Sequence, residues 1–411
     1  MQPLAYLPLF PLSTAVAADG VDGVRVALGL IGGLVVFLLG MDTLTSALRK
    51  LGTGRMRALL GGISRKPWAG FASGVAITAG VQSSSVSIVL VMGFVVAGLL
   101  DFAATVAIVA GANVGSAITA HLLAFRLGAY APVLLIIGYA CTLANRRPRV
   151  EGVGRILLGL GLVFLGMHGM SEGLSPLRDV PAVRAALLDV SHPLAAFAVG
   201  LLVTAIVQAS AATIALLMSL LVQGLIDLPT ALAMTIGANV GTCATPLLAA
   251  IGKPREGVRV ALTHLAFNMA GAAIWLPLLP VLLAVAEGLP GEGEVRSIAN
   301  AYTVFNVSIA LVVVAGAAFV ARVMVWLLPP RTDATVIAPK YLELGLLSSP
   351  PAALQAVRLE LVRVGTKTLD LLRRAIDPIL GTPGTATEPS NSKASFVGLD
   401  DLEHDDERLA P

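Results

Sequence analysis

Charged side chains are scarce in this sequence. Only 13% of its 411 residues are charged, whereas 56% are hydrophobic and the mean hydropathy is +0.86. A soluble domain carries about 25% charged residues, so this composition excludes an ordinary soluble protein. Because the apolar residues form runs long enough to cross a bilayer, we predict an all-α polytopic membrane protein.

Cysteine is nearly absent as well. Cys141 and Cys243 both fall in apolar segments, which excludes a disulfide framework and a thiolate metal site. The membrane region has no nucleophile–base pair and no His, Asp and Glu cluster with metal-ligand spacing, so we expect neither an enzyme nor a cofactor. The net charge of +3 is spread over short loops and does not indicate nucleic-acid binding.

The chain contains an internal duplication with an offset of 126 residues. Residues 74–124 align with residues 200–250 without a gap, and 22 of the 51 positions are identical. The matches include two polar motifs inside apolar runs: Gln82–Ser85 with Gln208–Ala211, and Gly111–Gly115 with Gly237–Gly241. Polar groups are costly at membrane depth, and their duplication there is typical of secondary transporters.

Seven apolar stretches are predicted to cross the membrane. They are Val24–Leu48, Thr105–Phe125, Ala131–Ala144, Gly154–Gly173, Thr230–Ile251, Val258–Ala286 and Ile298–Leu328. Two further stretches, Trp68–Leu100 and Leu194–Ile226, have 33 residues each and contain the Gln/Ser motifs near their centres. A simple span needs about 20 residues, so each is either a long tilted helix or a re-entrant hairpin.

The basic residues of the loops favour hairpins. If both Gln/Ser stretches re-enter, the dense clusters at 49–66, 146–155, 253–259 and 322–340 all lie on one face, as the positive-inside rule requires. If each stretch crossed instead, the cluster at 146–155 would lie outside. With hairpins, the N-terminus is outside and the C-terminus is cytoplasmic. Three crossings then separate the two copies, which predicts inverted repeats whose hairpin tips meet near the midplane.

These features divide the chain into six parts. We predict an extracytoplasmic arm or signal-like segment at 1–23, membrane repeats at 24–150 and 151–255, two further transmembrane helices at 256–329, a cytoplasmic segment with an amphipathic helix at 330–380, and a disordered acidic tail at 381–411. A cytoplasmic regulatory partner would bind through residues 354–371.

The hairpin tips carry the chemistry we expect of an anion site. Irregular backbone in a membrane must be buried in protein or line a wet cavity. Helices that start with Ser or Thr direct N–H groups and a positive dipole end towards the tip, which suits a compact anion such as phosphate or sulfate. The predicted phosphate-site residues are Gln82, Ser83, Ser84, Gln208 and Ser210.

Sodium prefers hard oxygen ligands, which hydroxyls, amides and unwound carbonyls supply without a carboxylate. The glycine pairs around Asn113 and Asn239 permit a kink or unwinding there. The predicted sodium-site residues are Ser85, Asn113, Ser116, Thr213, Asn239 and Thr242.

Simpler roles compete with these predictions. A lone Gln or Asn in a membrane helix usually joins helices, but retention in both copies favours a site. Asp101 and Asp227 each precede a helix, and N-capping is the favoured role. Asp42 is interpreted as interfacial, and His264 as a helix-contact residue.

At these motifs the sequence resembles the type II sodium/phosphate cotransporters. That family has duplicated QSSS-type and GANxGT motifs and a later pair of H-x-x-F-N-like elements, here His264–Asn268 and Tyr302–Asn306. The resemblance covers about Val24–Leu328. It implies a site for inorganic phosphate and sodium between the two tips, with transport by alternating access.

The sequence departs from that family's pattern at four positions. Ala209 and Ala211 replace two hydroxyls, Ser116 replaces Thr, and Tyr302 replaces His. The lost hydroxyls weaken the case for a full set of sodium sites. Bacterial relatives append a PhoU-type helical domain, of which this chain retains about one helix.

The predicted function is sodium-coupled phosphate symport across a bacterial cytoplasmic membrane. One alternative is a phosphate exporter on the same fold, because gradients and coupling set the direction. The other is a membrane protein that senses phosphate and signals through the cytoplasmic helix. Duplicated sites favour transport, since a sensor needs only one.

Overall fold

The part of the chain that the structure describes is mainly α-helical. The computed structural model describes residues 23–61, 67–98, 100–125, 130–143, 148–181, 183, 190, 192–329 and 350–380. The predicted N-terminal arm up to residue 22 and the predicted acidic tail 381–411 lie outside these ranges.

Fifteen α-helices lie within the described ranges. The first six are α1 Gly23–Gly61, α2 Pro67–Val81, α3 Ser84–Val96, α4 Phe102–Leu123, α5 Ala131–Leu143 and α6 Pro148–Leu174. A 3-10 turn, Ser175–Asp179, follows α6. The others are α7 Pro193–Val207, α8 Ser210–Val222, α9 Leu228–Gly241, α10 Ala244–Ala250, α11 Arg255–Trp275, α12 Leu279–Gly288, α13 Glu294–Ala315, α14 Ala317–Leu327 and α15 Pro350–Leu380.

The prediction of a polytopic α-helical membrane protein is confirmed. Within the described ranges, five helices are long and apolar enough to cross a membrane, and one bent pair would make a sixth. Helix α5 has only 13 residues, fewer than the roughly 20 that a simple span needs. The number of crossings and the sidedness of the termini stay predictions.

The first Gln/Ser stretch folds as a helical hairpin. Helices α2 and α4 lie side by side in the same direction, because Gly74 packs against Ile108 and Gln82 reaches Thr119. The tip at Gln82 is therefore level with the far end of α4. Helix α3 must return from this level to Phe102, where α4 begins, so it runs antiparallel to both.

The second Gln/Ser stretch repeats this geometry. Gly200 packs against Met234 and Thr204 packs against Gly241, so α7 and α9 also lie side by side in one direction. The tip at Gln208 follows Thr204, near the end of α9, and α8 returns from it to the start of α9. The same fold in both copies is what the 126-residue offset predicts.

The open ends of the two hairpins lie near opposite ends of α4. Val96 ends α3 a few residues before α4 begins, and it contacts Gly257 near the start of α11. Val222 ends α8 and lines a cavity together with Phe125, just beyond the end of α4. This placement supports the inverted relation of the repeats, which stays a prediction.

Helix α1 is longer than the sequence suggests. The predicted span ended at Leu48, but the helix continues to Gly61. It packs against α6 through glycines, with Gly33 against Met170 and Gly40 against Val163. Small residues at such contacts let two membrane helices approach closely.

Two other predicted spans are broken. Residues 258–286 form α11 and α12, which meet at an angle of 91°. Pro277 accounts for the break, because a proline supplies no N–H for the next helical hydrogen bond and its ring clashes with the carbonyl of the preceding turn. The stretch 298–328 likewise divides into α13 and α14 at Gly316.

The chain divides into two units, and the second begins at residue 332. The described part of this unit is helix α15, which has 31 residues and lies within the segment where the sequence predicts an amphipathic helix. The apolar stripe that contains Leu354, Leu361 and Val364 is exposed in this unit.

Candidate functional site

Both hairpin tips are built around a glutamine in the left-handed backbone conformation. Gln82 and Gln208 each have φ of 56°, and they are the only non-glycine residues with positive φ in the described part of the chain. Their N–H groups donate to the carbonyls of Thr78 and Thr204, at 2.6 and 2.7 Å. Such a conformation costs about 1–3 kcal/mol for a non-glycine residue. Its presence at both tips shows that the first helix of each hairpin ends in the same way.

The helices that leave the tips start differently. Ser83 caps α3, because its hydroxyl accepts a hydrogen bond of 3.3 Å from the N–H of Val86. Ala209 occupies the same position before α8 and provides no side-chain cap. The first N–H groups of α8 therefore lack the side-chain acceptor that α3 has.

The two tips line one cavity of about 260 Å³. All five predicted phosphate-site residues lie on it: Gln82, Ser83, Ser84, Gln208 and Ser210. The tip side is completed by Val81, Ser85, Ala209, Ala211 and Ala212, and α1 forms the other wall. The structure thus brings the predicted residues together, while their binding of phosphate stays a prediction.

The side chains of the two glutamines are held differently. Gln82 donates through Nε2 to the carbonyl of Ala79 over 2.6 Å and accepts through Oε1 from the Thr119 hydroxyl over 2.7 Å. Gln208 is exposed. Thr245, the counterpart of Thr119 in the second copy, has a buried hydroxyl without a hydrogen-bond partner among the described residues.

Asn113 lies in a buried network with α11. Its Nδ2 donates to Oδ1 of Asn268 over 3.2 Å, and its Oδ1 lies 3.0 Å from Nε2 of His264. Asn268 also donates to the carbonyl of His264 over 3.0 Å. His264 is fully buried, which agrees with the helix-contact role predicted for it.

Asn239 repeats this network with α13. Its Nδ2 donates to Oδ1 of Asn306 over 3.0 Å, and its Oδ1 accepts from the Tyr302 hydroxyl over 3.1 Å. Asn306 donates to the carbonyl of Tyr302 over 2.7 Å. Tyr302 therefore makes the same contact as His264, although the two side chains differ.

Hydroxyls connect these networks to the tips. The Tyr302 hydroxyl lies 3.1 Å from Oγ of Ser116, and Ser85 donates to the carbonyl of Thr242 over 3.0 Å. Thr213 accepts a hydrogen bond of 2.9 Å from Thr204. Five of the predicted sodium-site residues, all except Thr213, are thus joined in one hydrogen-bonded polar region behind the tips, and Ser85 also lines the cavity. The amides of Asn113 and Asn239 are already hydrogen-bonded to protein.

The capping predictions hold for one aspartate. Asp227 accepts a 3.0 Å hydrogen bond from the N–H of Thr230 and caps α9. Asp101 occupies the N-cap position of α4, but its side chain makes no capping bond.

The sequence analysis missed the contribution of α1. Leu38, Met41, Asp42, Thr45 and Arg49 all line the cavity. Leu38, Asp42, Thr45 and Arg49 are three or four residues apart, which places them on one helical face, and Met41 lies beside Asp42. This pattern was visible in the sequence, but Asp42 was interpreted as interfacial and Arg49 as a loop residue.

A larger cavity of about 420 Å³ lies elsewhere. Its lining is mainly apolar and includes Phe125, Phe164, Met167 and Met218. A small, strongly hydrated anion gains little from such walls. The cavity at the tips is the better candidate site because it joins both halves of the duplication.

Two polar helix tips that meet inside a polytopic membrane protein define a candidate transport site. The sequence profile of the Na+/Pi-cotransporter family matches residues 36–172 and 180–291. The chain belongs to this family, which is a family of transporters and not of enzymes.

Individual relatives agree with this assignment. The chain is 33% identical over 279 residues to "Uncharacterized protein YqeW" of Bacillus subtilis, covering 68% of this chain and 90% of that protein. It is 29% identical over 342 residues to "Putative inorganic phosphate export protein YjbB" of Escherichia coli, covering 82% of this chain and 62% of that protein. A shorter match, 38% identical over 101 residues, joins 23% of this chain to 16% of "Sodium-dependent phosphate transport protein 2A" of Oryctolagus cuniculus. No solved structure matches the chain.

Proposed function

We propose that this protein is a secondary active transporter that carries inorganic phosphate together with sodium across the cytoplasmic membrane by alternating access. The observation that carries the proposal is the single cavity shared by Gln82 and Gln208 at equivalent tips. A substrate bound in this cavity would contact both halves of the duplication at once.

The chemistry of the cavity suits phosphate. Phosphate presents four oxygen atoms that accept hydrogen bonds, and the tips offer hydroxyls from Ser83, Ser84 and Ser210 and amides from Gln82 and Gln208. Two helices begin at the tips, and the positive end of a helix dipole favours an anion. The side-chain cap absent at Ala209 leaves N–H groups of α8 for a ligand.

Sodium coupling is the second element of the proposal. The oxygens of Ser85, Asn113 and Asn239 lie in the polar region behind the tips, as do those of Ser116, Thr213 and Thr242. The name of the rabbit relative, a sodium-dependent phosphate transport protein, also supports sodium as the coupling ion.

Export is the alternative direction, and one observation favours it. The Escherichia coli protein that matches 82% of this chain is named as an inorganic phosphate exporter. The site we propose is the same for both directions, since a cavity that binds phosphate does not by itself determine the net flux.

Transport assays in proteoliposomes test these proposals. We expect uptake of radiolabelled phosphate driven by an inward sodium gradient and abolished when potassium replaces sodium on both sides. Phosphate-loaded vesicles with the opposite gradient test efflux. Uptake that follows a pH gradient and ignores sodium would contradict sodium coupling, and no phosphate flux in either direction would contradict the function itself.

A further inference from the structure

The wall of the cavity opposite the tips carries both of its charged side chains. Among the described lining residues, only Arg49 and Asp42 are charged, and both belong to α1. They lie seven residues apart, which is two helical turns or about 10 Å along the axis. Thr45 lies between them on the same face.

Arg49 reaches this position because α1 does not end where the apolar run ends. A helix that stopped at Leu48 would leave Arg49 in a loop. The helix instead continues to Gly61, which fixes Arg49 on the face that already carries Met41 and Thr45. Its place beside the tips is therefore set by regular secondary structure.

Positive charge close to this cavity would further stabilise a phosphate ion in it. The tips supply hydroxyls, amides and helix N-termini, none of which carries a full charge. An anion that leaves water is much more stable near a cation, and a guanidinium presents several N–H donors in a geometry that matches phosphate oxygens.

We propose that Arg49 is the electrostatic partner of phosphate in the tip cavity and determines its preference for the more highly charged form. The proposal rests on the proposed function, because it assigns a residue to that same site. Asp42 acts in the opposite sense, since its carboxylate lies on the same wall and repels an anion. The two residues therefore make the α1 wall electrostatically asymmetric, and the anion binds on the Arg49 side.

Lys50 provides a matched control. It carries the same charge one position further along α1, and it is not among the residues that line the cavity. Arg49→Gln and Lys50→Gln change the net charge of the protein equally. A difference in phosphate affinity between the two variants is therefore due to the position of the lost charge and not to the net charge.

The phosphate concentration at half-maximal uptake tests the proposal in proteoliposomes with equal amounts of inserted protein. We expect Arg49→Gln to raise it about ten- to hundred-fold, the range for losing one charge-assisted contact. Arg49→Lys should recover part of the loss, and Lys50→Gln should stay within about two-fold of the wild type. Asp42→Asn should lower the half-maximal concentration.

The charge preference has its own readout. For the wild type, apparent affinity for total phosphate should rise as the pH passes from below to above the second ionisation of phosphate. Arg49→Gln should flatten this rise, because the removed charge attracts a dianion more strongly than a monoanion.

Equal effects of Arg49→Gln and Lys50→Gln, or an unchanged affinity and pH dependence in Arg49→Gln, would overturn the assignment. If Arg49→Gln does not insert into the membrane, Asp42→Asn provides the test. A phosphate affinity of Asp42→Asn that is no tighter than that of the wild type would overturn the assignment of Arg49. A wild type that neither binds nor transports phosphate overturns the proposed function as well, so the two failures are distinguishable.

Discussion

The Thr119 hydroxyl donates a hydrogen bond of 2.7 Å to Oε1 of Gln82 and so holds the first hairpin tip against α4. The second copy has the same residue types at Thr245 and Gln208, but there the hydroxyl is buried without a partner among the described residues. The same Thr and Gln pair is therefore hydrogen-bonded in one half of the molecule and not in the other.

This asymmetry predicts unequal effects for the same substitution. Thr119→Val should destabilise the protein by about 0.5–1.5 kcal/mol, because it removes a hydrogen bond. Thr245→Val should be neutral or stabilising, because it replaces an unsatisfied buried hydroxyl by a methyl group. Thermal unfolding of the two variants in one detergent measures the difference, and equal losses would show that Thr245 has a partner in solution.

Loss of either tip glutamine should impair phosphate transport. Gln82→Ala and Gln208→Ala each remove a polar partner from the shared cavity, which corresponds to about 1–3 kcal/mol of binding free energy. The double variant should lose less than the sum, because groups that serve one site are not independent. Phosphate affinity is measured alongside surface abundance, which controls for misfolding. Normal affinity in Gln208→Ala would exclude the second tip from the site.

Alanine should not be tolerated where α2 touches α4. A methyl group at Gly74 would overlap the carbonyl oxygen of Ile108, so we expect Gly74→Ala to reduce the yield of folded protein sharply. Gly80 lies in the same helix and has nothing within 4 Å of an added Cβ. Gly80→Ala should therefore be neutral or stabilising by up to about 1 kcal/mol. Similar yields of the two variants, measured by gel filtration, would refute the contact.

The hydroxyl of Tyr302 should matter more than its ring. Tyr302→Phe leaves Oδ1 of Asn239 without its donor in a buried place, at a cost of about 1–3 kcal/mol. Tyr302→His should be milder, because His264 makes the equivalent contact with Asn113 in the other network. Thermal stability ranks the three proteins, and a Phe variant as stable as the wild type would contradict the role of this bond.

The predicted sidedness is open to direct test. Cysteines placed near Arg57 and Arg147 should be protected from an impermeant thiol reagent added outside cells, whereas one near Arg184 should be labelled. The reason is the positive-inside rule applied to the loop clusters. Labelling near Arg147 together with protection near Arg57 would mean that the first Gln/Ser stretch crosses the membrane.

Much of the site was predictable because its signals are local. A polar motif in the middle of an apolar run indicates a break, and both helices do end before Gln82 and Gln208. Asp227 precedes a helix and caps it. Because the two copies are offset by 126 residues, each assignment in one copy predicted the equivalent residue in the other.

Other features depend on contacts that no local pattern reveals. Arg49 directly follows an apolar span, where a basic residue normally marks a loop, and only the continuation of α1 places it on the cavity. Asp101 has the sequence context of Asp227 yet makes no capping bond. The 91° bend after Trp275 lies within an apolar run whose composition resembles a single span, and only Pro277 and Pro280 signal it.

The close contact of α2 with α4, repeated between α7 and α9, also determines where the protein is stiff. Two helices that meet main chain to main chain have no intervening layer of side chains that could repack, so neither pair can slide internally. In the alternating access that we propose, each pair would therefore turn as one rigid unit. The backbone would then bend at short non-helical junctions such as Gln82–Ser83 and Gln208–Ala209, which are the same residues that line the proposed anion site.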